Sequence, residues 1–335
     1  MLYYKNLRDL VYEMHKQKPS VNKIVIISGY VGYHTICKLS ELPSNIEIIV
    51  VYGMYGSDRI SEPLHRALMS VHEASNNISI RYAVIPVHSK IYVWSKDESI
   101  EQVLIGSANF SVSGLMNDYK EVLSDIEDHP DYANLSTYVE KVLSYSIPCT
   151  DPNVKVGNVQ QAPRTSKKTQ PLLNKGICRA SLLNNKGLVS KKSGLNWGHS
   201  NGHVSLGDAY IAISKDYIHL FPNLFPAKKY VNINNPESEG KPNRENDTIE
   251  LIWDDGERML ALLEGQQLDK TTNLIYPKQL SSSPQKSILG KYLRKRLDVS
   301  LNHVITKADL KRYGRDNIDI SLIGDGVYYM DFSVK

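Results

Sequence analysis

The sequence predicts an α/β domain followed by a mostly β, barrel-like domain. Three observations predict it. Runs of β-branched residues alternate with helical patterns over the first 145 residues, a polar stretch with Pro and Gly at intervals follows, and short strand patterns with an Asp-Gly hairpin turn fill the rest. A chain of 335 residues holds two domains of ordinary size.

In the first half, Asn6 to Gln17 has helical spacing, with Leu7, Leu10, Val11 and Met14 on one face. Strands are expected at Lys23 to Ser28, Ile46 to Tyr52 and Ile78 to Val84. Helices are expected at Thr35 to Leu39 and at Ser57 to Glu73. Continuous apolar strands between helices are buried on both faces of a sheet. Three closely spaced strands follow, at Val87 to Trp94, Gln102 to Gly106 and Glu121 to Asp125. A helix from Asp131 to Tyr145 closes the unit, stopped by Pro148 and Pro152. The expected boundaries are a first domain over 1–149, a linker over 150–176 and a second domain over 177–335. In that second domain, strands are expected at Ala209 to Ser214, Asp216 to Leu220, Thr248 to Trp253, Arg258 to Leu263 and Val327 to Val334. Asp255-Gly256 makes a hairpin turn. Helices are expected at Ser287 to Arg296 and Lys307 to Arg312.

Composition narrows the class. No stretch approaches 18 apolar residues, and the N-terminus lacks a basic-then-apolar leader, so a cytoplasmic protein is expected. Cys37, Cys149 and Cys178 are widely spaced, without CxxC, which argues for free thiols over a disulfide framework or zinc site. Charge is uneven. Residues 1–150 hold 13 Lys and Arg against 17 Asp and Glu, whereas residues 151–335 hold 27 against 19. The basic half suits a polyanion.

The chemistry concentrates in His88-Ser-Lys90, then Gly106-Ser107-Ala-Asn109, then Glu121. On one strand His88 and Lys90 point to the same side. A neutral imidazole can attack phosphorus, and an ammonium beside it can neutralise the nonbridging oxygens as charge builds. Asn109, in the loop after the next strand with Ser107, can donate to the same oxygens. Glu121, opening a neighbouring strand, can accept from the other ring nitrogen and fix the tautomer, with Asp118 also within reach for that role. Read one by one, these residues are a core histidine, a surface lysine, a turn and a salt bridge; the chemical reading rests on the joint pattern.

His88-x-Lys90 followed by Gly106-Ser107-x-Asn109 resembles the signature of the phospholipase D superfamily. The usual pattern carries an Asp where this chain has Ser95; Asp97 lies nearby but off register. The resemblance implies a nucleophilic His88 that forms a phosphohistidine, and a second such histidine as general acid. Of ten histidines only His88 is followed two residues later by Lys, so the resemblance implies a homodimer with the site on its two-fold axis. No metal-ligand set is found, since His199 and His203 lie in a Gly/Asn/Ser loop; no metal and no cofactor are expected.

The second half carries two candidate DNA-binding segments. The first is Lys191, Lys192, Asn196, Trp197, His199, Asn201 and His203; the second is Gln266, Gln267, Lys270, Lys278 and Gln279. Gln and Asn suit adenine edges, and Lys suits guanine or phosphate. A third basic cluster, from Lys286 to Arg296, suits backbone contact or a solvated helix face. The layout is similar to type II restriction endonucleases that join a phospholipase D-type nuclease to a B3-like pseudobarrel, whose two arms grip the major groove. That resemblance implies site-specific cleavage of double-stranded DNA without metal, in some relatives with a helicase-like ATPase subunit. A lipid phosphodiesterase, a non-catalytic DNA-binding regulator with a degenerate nuclease module and a nonspecific nuclease are the competing functions.

Overall fold

The computed structural model describes residues 1–118, 120–126, 129–159, 176–228 and 246–334, with the side chains of 129–131 left out. Two compact units emerge. The first is Met1–Val159 together with Ile323–Val327; the second is Gln160–Leu322 with Tyr328–Lys335.

The strands of the first unit are β1 (Leu2–Tyr3), β2 (Lys23–Ser28), β3 (Glu47–Tyr52), β4 (Ile60–Ser61), β5 (Ile78–Ala83), β6 (Lys90–Lys96), β7 (Ser99–Gly106), β8 (Leu123–Asp125), β9 (Ser146–Pro148) and β10 (Val156–Gly157). Its helices are α1 (Leu7–Gln17), α2 (Tyr33–Lys38), α3 (Tyr55–Asp58), α4 (Glu62–Ala74), α5 (Val112–Leu115) and α6 (His129–Ser144). Eight strands form one mixed sheet in the order β1-β8-β7-β6-β2-β3-β5-β9. β2, β3 and β5 run parallel, and β6 joins β2 antiparallel with Ser28 opposite Lys90. Both alternating sets are buried. Val25, Ile27, Val51 and Val93 pack with Leu135, Val139 and Val142 of α6, while Ile24, Ile26, Val50, Tyr92 and Trp94 are buried on the opposite face.

Three expectations shift. The helix expected over Ser57 to Glu73 is interrupted: α3 ends at Asp58, a bridge forms at Ile60–Ser61, and α4 starts with Pro63 in its first turn, where the missing N–H costs nothing. The strand expected from Val87 begins at Lys90, so His88 lies in the preceding loop. The chain past residue 150 is not all linker: Val156–Gly157 pairs with Ile60–Ser61. The rest of the expected linker, 160–175, lies outside the described residues.

The second unit carries β11 (Cys178–Ser181), β12 (Ile211–Ala212), β13 (Asp247–Trp253), β14 (Arg258–Glu264), β15 (Gln267–Asp269), β16 (Leu274–Tyr276), β17 (Gln279–Ser282), β18 (Asn317–Gly324) and β19 (Val327–Asp331). Helices α7 (Lys215–Leu220), α8 (Ser287–Leu297) and α9 (Lys307–Tyr313) complete it. Seven strands order as β11-β18-β19-β13-β14-β17-β12, a near-closed, barrel-like sheet around Leu251, Trp253, Ala261, Leu280, Leu293 and Phe332. The strand expected over Asp216 to Leu220 is a helix, because the Ser214 hydroxyl caps it by accepting from the Tyr217 N–H. The Asp-Gly hairpin between β13 and β14 forms as expected, with Gly256 at φ 88°. No helix among the described residues is long and apolar enough to cross a membrane.

Candidate active site and nucleic-acid interface

The site assembles where β2 ends. Ser28, Gly29 and Tyr30 run beside the His88–Lys90 segment because β2 and β6 are paired. The loop after β7 is sewn to the same place. The Phe110 N–H donates to Ser28 Oγ (2.8 Å), the Gly32 N–H donates to Phe110 O (3.0 Å), and the Tyr30 N–H donates to Asn109 Oδ1 (3.3 Å). The last contact leaves Asn109 Nδ2 as the free donor of the amide, and it donates to Asp325 Oδ2 (2.9 Å). Gly106 is needed at the start of this loop, since a Cβ there would lie 2.0 Å from the Val122 carbonyl.

His88 is exposed, whereas Lys90 is only 7% exposed. Lys90 Nζ lies 3.2 Å from His88 Nδ1 and 3.1 Å from Nε2, and it donates to the His88 carbonyl at 2.7 Å. A point equally near both ring nitrogens cannot be in line with either lone pair, so the ammonium rests on the face of the ring. Both nitrogens are left directed away from it. Burial lowers the Lys90 pKa, and the negative charges of Glu121 and Asp325 pull partly the other way. Gly29 forms the floor: a Cβ there would meet His88 Cδ2 at 2.9 Å, Asn109 Oδ1 at 3.3 Å and Lys90 Nζ at 3.4 Å. Asp325, in the Ile323–Val327 stretch of the same unit, accepts from Asn109 Nδ2 (2.9 Å), Ser111 Oγ (3.1 Å) and Ser113 Oγ (3.0 Å). A carboxylate resting on that amide marks it as a donor to anions.

The structure therefore brings His88, Lys90 and Asn109 together. Ser107 lies exposed at the edge, its hydroxyl accepting from the Val122 N–H (3.1 Å), a clamp on the adjoining chain. Glu121 precedes β8 rather than opening it. Among the described residues no hydrogen bond joins it to His88, and its charge acts on Lys90 instead. Ser95 is buried in β6, and the nearby Asp97 exchanges two hydrogen bonds with Asn22, fixing the β6–β7 turn. Sequence reasoning missed Ser28, Gly29 and Tyr30. Their signal was available, because loops at the C-terminal ends of parallel strands are where α/β sheets build sites.

In the second unit, Lys191, Lys192, Asn201, His203, Gln266, Lys270 and Lys278 are exposed, and Trp197 and His199 are half-buried. Trp197 and Gln279 approach one cluster. Lys286 Nζ lies 4.5 Å from the Trp197 ring centre and 2.8 Å from Glu264, which also accepts from Gln279 Nε2 (2.6 Å) and Ser281 Oγ (2.7 Å). Two expected base readers are corrected. Asn196 is 0% exposed; its amide donates to Ser190 O and Ile305 O and accepts from the Ile305 N–H, so it pins loops together and cannot reach a base edge. The Gln267 amide donates to the carbonyls of Ile213 and Pro277, which leaves it holding the β15 end in place. Among the described residues no group of three or more His, Cys, Asp and Glu could hold a metal ion.

Comparison with known proteins follows this division. Residues 5–156 match the family described as the NgoFVII restriction endonuclease N-terminal PLD domain, and residues 174–324 match the NgoFVII C-terminal B3-like DNA-binding domain. No curated protein matches the chain. Among solved structures, NucT from Helicobacter pylori is 17% identical, with a TM-score of 0.33, over 44% of this chain and 97% of its own. Nuc from Salmonella typhimurium, a phospholipase D family member, is 16% identical, with a TM-score of 0.31, over 44% and 95%. Polyphosphate kinase from Porphyromonas gingivalis is 14% identical, with a TM-score of 0.31, over 47% of this chain and 26% of its own. With its two halves matched in the same order, the chain belongs to the NgoFVII restriction endonuclease family, a phospholipase D nuclease domain ahead of a B3-like DNA-binding domain.

Proposed function

We propose that the protein is a site-specific endonuclease that hydrolyses phosphodiester bonds of double-stranded DNA without a metal ion. One observation carries the reading: an exposed imidazole with an ammonium on its ring face and, beside it, a side-chain amide already donating to a carboxylate. A ring nitrogen of His88 attacks phosphorus, and the P–O bond to the leaving oxygen breaks. Lys90 and Asn109 take the growing charge on the nonbridging oxygens. A second imidazole, the partner's His88, supplies the proton to the leaving oxygen in a two-fold dimer. Water, deprotonated by that same group, then releases the phosphohistidine. Exposed Val84 and Ile85, just ahead of His88, supply apolar surface for that dimer. The basic second unit selects the sequence, using the exposed lysines, His203 and Gln266 on the groove and backbone.

Mapped plasmid DNA is digested in EDTA, with and without ATP, by the wild type and by His88→Ala. Discrete fragments from the wild type and none from the variant are expected. A smear indicates a nonspecific nuclease, binding without cutting indicates a regulator, and activity on phospholipid vesicles alone indicates a lipid phosphodiesterase.

A further inference from the structure

We infer that Tyr30, locked in place by Asp58, is a positioning residue that sets the angle of the His88 imidazole. The inference rests on the nuclease reading of His88. Its physical basis is that an exposed ring must be held by its neighbours if it is to meet phosphorus in line. Gly29 supplies a floor and Lys90 covers one face, but neither stops the ring from turning about its own Cβ–Cγ bond. The Tyr30 ring does. It meets the imidazole edge to face, with centroids 6.2 Å apart and planes at 81°.

Tyr30 is itself held at three points. Its N–H donates to Asn109 Oδ1, its ring leans on Tyr52 at 6.1 Å, and its hydroxyl donates to Asp58 Oδ2 at 2.6 Å. The last is a short, charge-assisted bond from the end of α3. That hydrogen bond, helped by burial, pushes the Tyr30 pKa up to about 12. The phenol therefore stays protonated and committed to Asp58, so it is not a proton donor to the leaving group. Its contribution passes through the ring. The short helix α3 thereby reaches a nucleophile in the loop ahead of β6, although Asp58 itself is exposed and contributes nothing to the core. Asp58→Ala consequently removes the lock without disturbing the fold.

The test compares steady-state cleavage of a short duplex by wild type, Tyr30→Phe, Asp58→Ala, Asp58→Asn, the Tyr30→Phe/Asp58→Ala pair and His88→Ala, with thermal melts of each. Tyr30→Phe and Asp58→Ala are expected to lower kcat about tenfold with KM within about twofold of wild type. The double variant is expected to be no worse than either single, because both break one bond. Asp58→Asn keeps an acceptor oxygen and is expected to restore most of the rate. Loss expressed in KM, additive loss in the pair, or an Asp58→Asn as slow as Asp58→Ala overturns the inference. Wild-type rates in Tyr30→Phe and Asp58→Ala, with His88→Ala inactive, overturn it while the nuclease reading stands. Cleavage by His88→Ala overturns both.

Discussion

Gly29→Ala separates the geometry of the site from the stability of the fold. The added Cβ would sit 2.9 Å from His88 Cδ2, where carbon atoms settle at roughly 3.5–4.0 Å. Something must therefore move by about 0.6 Å or more. The side to yield is the exposed imidazole, because Gly29 follows directly on β2, which is paired on both sides up to Ser28, its carbonyl accepts from the Met54 N–H (3.0 Å), and it has no left-handed φ to strain. Contacts to Asn109 Oδ1 at 3.3 Å and Lys90 Nζ at 3.4 Å tighten as well, so all three chemical groups are pushed from the same point. A displacement approaching 1 Å in a reacting group costs up to about 100-fold. We expect kcat to fall about 10- to 100-fold, with unfolding free energy within about 1 kcal/mol of wild type. Single-turnover cleavage of a short duplex, beside a urea titration, reads both. A variant that cuts at the wild-type rate would show that the imidazole is not used where the structure puts it.

Other substitutions test other parts. Lys90→Met is expected to lower kcat by about 10²–10³, as losing one donor to a developing oxyanion does. Its melting temperature should hold or rise, because burial already disfavours the charged ammonium; a lower melting temperature in a calorimetric scan would speak against that. Asn196→Ala strands the buried N–H and C=O of Ile305 and should destabilise the second unit by about 2–4 kcal/mol in urea, whereas a purely base-reading asparagine leaves unfolding unchanged and weakens only DNA binding. Gly106→Ala forces a Cβ onto the Val122 carbonyl and should cost about 1–3 kcal/mol, seen as a lower thermal midpoint. For pH, burial pushes the Glu264 carboxyl up, but hydrogen bonds from Lys286, Ser281 and Gln279 outweigh it and leave it lowered. A folded pKa below the unfolded value of about 4.3 contributes stability above that pH, lost as pH falls through the folded value. Glu264→Gln should flatten the acid limb of the stability curve; an unchanged limb would contradict the assignment.

Strands β2 and β3 were legible because their residues are buried on both faces and read as unbroken apolar runs, and β5 because Ile78, Ile80 and Tyr82 alternate with half-buried Ser79 and Arg81. Short strands such as β11 and β12 carry no such signal, and α7 hid behind apolar alternation until its Ser214 cap was visible. At the site, His88, Lys90 and Asn109 announced themselves by spacing. Tyr30 did not, because it is one of 21 tyrosines and its neighbours are set by which strand lies beside β6, a long-range fact. Asn196 was misread for a related reason. An asparagine in a polar loop looks like a ligand contact until the loop is seen folded over it.

Bonding of a His88 ring nitrogen to phosphorus is the step on which the proposed chemistry turns. It is tested most directly by the stereochemical course of cleavage at a phosphorothioate of single configuration in isotopically labelled water. Two successive in-line displacements, each inverting, leave the configuration at phosphorus retained, and that is the predicted result. Inversion would mean that water attacks the DNA directly, and His88 would then not be the nucleophile.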